Sequence, residues 1–456
     1  MSADASFRID AEFFKRSDLA RLQLIGRLHW DELCNVTKKI DVGFVGAMQT
    51  EYTDDAFSPP LLQTRNIQEF IVDDLDVIHI NEPFHNLLKK SQIHKYDILI
   101  ARSGSFGNAA IWLKDKVVNS SDIIIVEADK AKINACFLVA VLNSHFGRFQ
   151  LERFASGAVQ GHVNLTILEH LKIPLLSLPF QKSIAQMIGK AYLSIEDAIG
   201  KYHEAEQMLL AEIGFAGWSP TDEAVSVKSY SDFVSAGRFD AEYFQPKFDE
   251  LFTMLSKCRV RPLGGNDGLV NIQRSIEPGS DAYSDKGVPF VRIADFTEMG
   301  ITPPEIHVPP EVCTDSPRPK KDTILLSKDG SVGIAYKVEE DLGVVTSSGI
   351  LHLTVKDDAV LPDYLTLVLN SKIVRLQAER DAGGSIIQHW KQSEIERVKI
   401  PLLPILRQRA IADKVQSSFA LRAESKRLLD LAKHAVEVAI EQGEDSAVEE
   451  NKKGNK

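Results

Sequence analysis

The chain contains no Cys-x-x-Cys pair; its four cysteines, Cys34, Cys136, Cys258 and Cys313, stand far apart. That spacing excludes a zinc ribbon and fits small buried hydrophobes in a reducing cytoplasm. No apolar run approaches the roughly 18–20 residues that a bilayer span needs. The longest, Cys136-Phe137-Leu138-Val139-Ala140-Val141-Leu142, is too short, so no membrane association is expected. The stretch from Met1 to Asp10 is polar, with no apolar core for a secretory signal.

Catalytic signatures are missing as well. There is no Gly-x4-Gly-Lys-Ser/Thr for ATP and no His-Glu-x-x-His for a metal. The nearest approaches to an Asn/Asp-Pro-Pro-aromatic methylation site are Ser58-Pro59-Pro60-Leu61 and Thr302-Pro303-Pro304-Glu305. Both lack the amide or carboxylate and the aromatic. Glu424-Ser425-Lys426 has a nuclease-like spacing but lies in a helical stretch, where residues two apart do not face one site. The reading is of no catalytic residue, no cofactor and no metal. An excess of basic residues is also absent: 53 Lys and Arg stand against 64 Asp and Glu, a net charge of −11. That argues against binding phosphate over the whole surface. The acid is segregated, however, into Glu196–Glu212 and the tail beyond Val436, so local patches decide.

What the chain does have is a repeat. Arg8-Ile9-Asp10-Ala11-Glu12-Phe13-Phe14 returns as Arg238-Phe239-Asp240-Ala241-Glu242-Tyr243-Phe244. Gly104-Ser105-Phe106-Gly107 returns as Gly330-Ser331-Val332-Gly333. From there the offset settles at 227. Leu142-Asn143-Ser144 becomes Leu369-Asn370-Ser371; Arg148, Gln150 and Arg153 become Arg375, Gln377 and Arg380; Gly157 and His162 become Gly384 and His389. Lys172-Ile173-Pro174-Leu175-Leu176 becomes Lys399-Ile400-Pro401-Leu402-Leu403. One module has been copied once.

Each copy reads as a mixed α/β lobe. Asp97–Ala101 and Thr323–Ser327 are buried strands, followed by Ile123–Val126 and Ile350–Leu353. Cys136–Phe154 and Leu361–Arg380 read as helices. The Lys-Ile-Pro runs suit a sheet edge. A heptad seam follows: Ile184, Ile188, Ala191, Ile195, Ala198, Tyr202, Ala205 and Leu209. Its copy is Ile411, Val415, Ser418, Arg422, Ser425, Leu429, Ala432 and Val436, a poorer seam. The fold expected is α+β: two tandem lobes, each followed by a long helix, the helices pairing as an antiparallel coiled coil with the lobes at opposite ends. The alternative is that each helix packs on its own lobe. The boundaries read as lobe one with an N-terminal helix at 1–179, central helix 180–213, linker 214–237, lobe two 238–406, second helix 407–441 and a disordered polar tail 442–456.

The ordered set of these blocks, present twice, resembles the specificity (S) subunits of type I restriction-modification systems. Its carriers are Asp97–Gly104 and Ile324–Gly330, the Leu-Asn-Ser segments, the Lys-Ile-Pro-Leu-Leu runs opening into long helices at Gln181 and Gln408, and the Arg-x-Asp-Ala-Glu restart. The resemblance implies two target recognition domains, each reading half of an asymmetric bipartite site in double-stranded DNA. It implies paired helices that set the spacer and dock methyltransferase (M) subunits, two of them, with restriction (R) subunits joining. The complex would do the chemistry; this subunit would not. Helix Ile184–Ile213 would be about 45 Å long, which caps the half-site separation at about 13 bp. The alternative is a two-lobed protein-binding scaffold of another defence assembly.

Candidate DNA contacts follow from that resemblance. The family often has Arg at the position of Gln63 and Arg292, followed three residues on by Asn or Asp, here Asn66 and Asp295. Gln and Asn pair with adenine and Arg with guanine, although a structural role for these residues stays open. Polar groups on the turns between buried strands are Arg102, Ser103, Ser105 and Asn108, and Lys328 and Ser331. Arg318, Lys320 and Lys321 form the clearest basic cluster, against Asp315 and Asp322. A residue kept in both copies, such as His162 and His389, is more often structural, because the copies should diverge where specificity lies.

Overall fold

Branched and aliphatic side chains make Ile98–Ala101 a strand buried on both faces, and it lies inside a four-stranded antiparallel sheet. The strand order is Thr37–Val42, Ile123–Ala128, Ile98–Ala101, Ala109–Ile111. The second lobe repeats it: Val270–Arg274, Ile350–Val355, Ile324–Ser327, Ala335–Lys337. Each lobe adds a parallel pair, Pro60–Leu62 with Val118–Ser120 and Val288–Val291 with Val345–Thr346. The structure, a computed structural model, describes residues 13–102, 107–155, 165–383 and 388–454. Arg8–Glu12, Ser103, Ser105, Gly157, His162 and Gly384 therefore lie outside the described residues.

The Lys-Ile-Pro segments are three-residue strands of two-stranded sheets, edge positions that suit their prolines. Lys172–Pro174 pairs with Trp30–Glu32 alone, and Lys399–Pro401 with Val260–Pro262 alone. The helix expected over Cys136–Phe154 is in fact two, Ala135–Asn143 and His145–Ala155. Its copy is likewise split into Pro362–Asn370 and Lys372–Asp381. Ser144 and Ser371 adopt extended backbone at the break, and each hydroxyl donates to a carbonyl three residues back at 2.6 Å. These short local bonds replace helix hydrogen bonds, which is how serine competes with a helix interior.

The central helix spans Leu178–Glu212 and the second long helix Ile405–Gln442. The chain divides into two compact units, Met1–Glu196 with Arg422–Lys456, and Asp197–Leu421, so both divisions fall inside the long helices. In the first unit Ile184, Ile188 and Ala191 share one core with Leu429, Ala432 and Val436 and with the strands and helices of lobe one. In the second unit Ala205 and Leu209 share a core with Ile411, Val415 and lobe two. Of the expected seam, Ile184, Ile188, Ala191, Leu209, Ile411, Val415, Leu429 and Val436 are buried, and Ile195 and Tyr202 are half-buried. The second unit shows the pairing to be antiparallel. Ser418 Oγ donates to the Ala198 carbonyl at 2.7 Å, Lys414 pairs with Glu204, and Arg407 pairs with Glu212 at 3.5 Å. Ser418 thus weakens the heptad pattern without leaving a buried hydroxyl unpaired.

Two segments hold more helix than their composition suggests. The linker contains a helix, Tyr230–Ala236, opened by Ser229 and closed by Gly237 in the left-handed region. The tail expected to be disordered is a helix, Glu444–Gly454. Ala447 is buried in the first core, Glu444 accepts from the Ser177 backbone at 2.7 Å, and His434 pairs with Glu450 at 3.1 Å. Its order comes from those contacts, which its charged composition does not reveal.

Candidate nucleic-acid interface

Residues kept in both copies are framework. Asn143 clamps both backbone groups of Ala109 at 3.1 and 2.7 Å; Asn370 does the same to Ala335 at 2.8 Å each. Gln150 bridges to both backbone groups of Lys172, and Gln377 to both of Lys399. Gln181 accepts from the Asn134 backbone at 2.9 Å, and Gln408 from Leu361 at 3.0 Å. Arg153 lies 3.6 Å from the Phe13 ring centroid, and Arg380 lies 4.8 Å from that of Tyr243, its repeat equivalent. Buried amides with every such bond satisfied hold a lobe in one arrangement.

On this framework three turns meet in each lobe. In lobe one Arg102 pairs with Asp122 at 2.8 Å, the Thr64 hydroxyl donates to the Asp122 carbonyl at 3.2 Å, and Asn108 Nδ2 donates to Ile67 at 3.5 Å. In lobe two the Lys328 backbone donates to Gly349 at 2.8 Å, and Ser347 donates to Val291 at 2.8 Å. A side chain at Gly349 would lie 2.6 Å from the Ile293 side chain, which would have to shift to make room. Gly107 (φ +76°) and Gly333 (φ +87°) close the hairpins in the left-handed region.

Gln63 and Arg292 sit at these turns, but their partners Asn66 and Asp295 turn inward. Asn66 is buried, accepts from the Gln63 backbone at 2.8 Å, and donates to the carbonyls of Asp73 and Asp76 at 2.9 and 3.1 Å. Asp295 accepts from the Arg292 backbone at 2.9 Å and pairs with its guanidinium at 3.2 Å. That hydrogen bond holds the Arg292 guanidinium charged, above its already high ordinary pKa. A paired guanidinium is oriented, and with five donors it can still serve another acceptor. Lys328 pairs with Asp329 at 2.5 Å, and His389 Nδ1 lies 2.8 Å from the same carboxylate. The repeated histidine is thus tied to the turn in lobe two. Ser331 is exposed, and its carbonyl accepts from Ser327 at 2.5 Å.

The basic cluster does not join these turns. Lys320 and Lys321 precede strand Ile324–Ser327 and Lys328 follows it, so roughly 13 Å of strand separates them. Lys320 pairs with Asp341 at 3.0 Å, which also accepts from the Lys321 backbone at 2.9 Å. These bonds, the backbone one first, hold the Asp341 carboxyl below its usual range. Arg318 is half-buried, 3.6 Å from Cys313 Sγ, while the Lys321 side chain is exposed with no ion-pair partner among the described residues. The neutralising acids Asp122, Asp329 and Asp341 were not legible as site residues. The repeat carried one signal for them: Asp122 aligns with Gly349, so the acid changes turn between copies.

Among the described residues no cluster of three or more His, Cys, Asp or Glu could hold a metal ion, and no helix is long and apolar enough to cross a membrane. The family model for the type I restriction modification DNA specificity domain matches residues 44–201 and again 266–430. A putative type I restriction enzyme MjaX specificity subunit of Methanocaldococcus jannaschii is 24% identical over 89% of this chain and 91% of its own length. The type I restriction enzyme EcoBI specificity subunit of Escherichia coli is 19% identical over 86% and 79%. The crystal structure of an S subunit of a type I restriction-modification system from M. genitalium covers 91% of this chain and 95% of its own, at 14% identity and a TM-score of 0.40.

Proposed function

Because this chain belongs to the type I restriction modification DNA specificity domain family, we propose that it is the non-catalytic specificity subunit of a modification and restriction complex. Residues 1–179 and 238–406 serve as target recognition domains. Each reads one half of an asymmetric bipartite duplex site. Helices 180–213 and 407–441 set the spacer and dock two methyltransferase subunits, which restriction subunits join inside the cell.

One observation carries the reading. The family match falls once on each lobe, and equivalent turn positions of the two lobes present different side chains: Gln63, Arg102 and Asn108 against Arg292, Lys328 and Ile334. A shared backbone presenting different donors suits the reading of two different half-sites. Long-read methylome sequencing of the host with and without this gene is the test. Loss of one bipartite methylated motif supports the proposal, and an unchanged methylome overturns it.

A further inference from the structure

Beneath the hairpin of lobe one, polar groups lead from the turn to the second long helix, two contacts joined by one charge–charge interaction. Asn108, on the turn, accepts from Arg148 Nη2 at 2.5 Å. The Glu69 charge acts on Arg148, opposing the effect of its burial. Glu69 in turn pairs with Lys433 Nζ at 2.6 Å, both side chains being partly buried. All four residues belong to the first unit. The Gly107 position packs over helix His145–Ala155, which carries Arg148, and a side chain there would meet Leu151 at 3.3 Å and Arg148 at 3.6 Å.

The repeat supplies a comparison inside the same molecule. Arg148 aligns with Arg375, Glu69 with Glu298, Asn108 with Ile334 and Lys433 with Glu206. In lobe two Arg375 pairs with Glu298. Burial, the dominant effect, raises the Glu298 carboxyl; Arg375 pulls it down and the Glu206 charge pushes it up. The residue that the helix presents to the lobe has therefore changed sign, and the turn residue has lost its polar group.

We propose that Lys433 is a positioning residue for the lobe-one reading turn, fixing Asn108 through Glu69 and Arg148, and that Glu206 and Ile334 together leave lobe two without the same tether. The consequence is unequal stringency: the half-site read by lobe one tolerates fewer mismatches. The inference rests on the lobes being DNA readers.

The test uses the full chain co-expressed with its methyltransferase partner, acting on a plasmid library with single mismatches in either half-site. Lys433→Gln and Glu69→Gln should raise methylation of sites mismatched in one and the same half by about tenfold, the scale of one partly buried coupling. Lys433→Arg should keep the wild-type profile. Glu206→Lys combined with Ile334→Asn, which restores both missing ends of the chain, should tighten the other half-site, a gain that loss of folding cannot imitate, and thermal unfolding of each variant checks the fold. Should wild-type protein methylate a bipartite motif while Lys433→Gln and the Glu206→Lys/Ile334→Asn double variant leave both halves unchanged, the positioning role is overturned and the specificity function stands. Should wild-type protein direct no bipartite methylation, the function itself falls and takes this inference with it.

Discussion

Asn370 shows why identical residues in the two copies are poor places to look for specificity. Both of its amide groups are committed to Ala335 inside the protein. Asn370→Ala would strip two buried backbone groups of their partner, at a cost of about 2–3 kcal/mol, without altering which DNA is chosen. Thermal unfolding and methylome sequencing together check that separation. Lys321 and Lys320 behave differently from each other. If Lys321 meets phosphate, Lys321→Ala weakens DNA binding evenly across sequences and lowers the salt slope by about one. Lys320→Ala does less, because Asp341 already offsets its charge. His352, buried and bonded to Thr346 at 2.8 Å, has its pKa pushed down to about 4 by burial. The unfolded chain then binds the extra proton first, so lobe two is fully stable above about pH 6.5 and loses stability as pH falls from there towards 4. Its repeat equivalent is Ile125. His352→Ile should flatten unfolding free energy across that window, measured by denaturant titration at several pH values.

At the scale of elements, the strands and long helices were legible because apolar periodicity is a direct consequence of burial. The breaks at Ser144 and Ser371 were not, since the three-to-four spacing resumes after a single extended residue. The helix Glu444–Gly454 was hidden for another reason: its anchors are Ser177, far away in the chain, and one small buried residue, Ala447. Glu444 also places a carboxylate at the N-terminus of the central helix, where negative charge is favoured. Removing the residues after Gln442 should lower the first unit's unfolding temperature by roughly 4–8 °C, for a loss of about 2 kcal/mol. An unchanged transition would show the helix to be ornamental. Site residues were the least legible, because whether Asn66 faces DNA or its own loop depends on a turn geometry that spacing alone leaves open.

For the molecule as a whole, duplication was the most informative sequence feature, and the structure extends it to the level of single hydrogen bonds. Two readers built on one framework should be separable. Replacing residues 1–172 with those of a related subunit is expected to change one half-site and leave the other intact. Inserting one helical turn before Leu209 is expected to change the spacer or abolish activity, and full activity on the original sequence would remove the helices from that role.

The shared cores also impose an order on synthesis. Lobe one leaves the ribosome before the second unit, but its core is completed by Leu428–Ile440 and Ala447, which follow that unit in the chain. Domains ordinarily fold as they emerge, at about 5–20 residues per second. This one must wait some tens of seconds with apolar surface uncovered, until the whole second unit has been made. A truncated product would therefore carry an unfinished first lobe beside an intact second one, and chaperones and proteases would meet that surface before any DNA did.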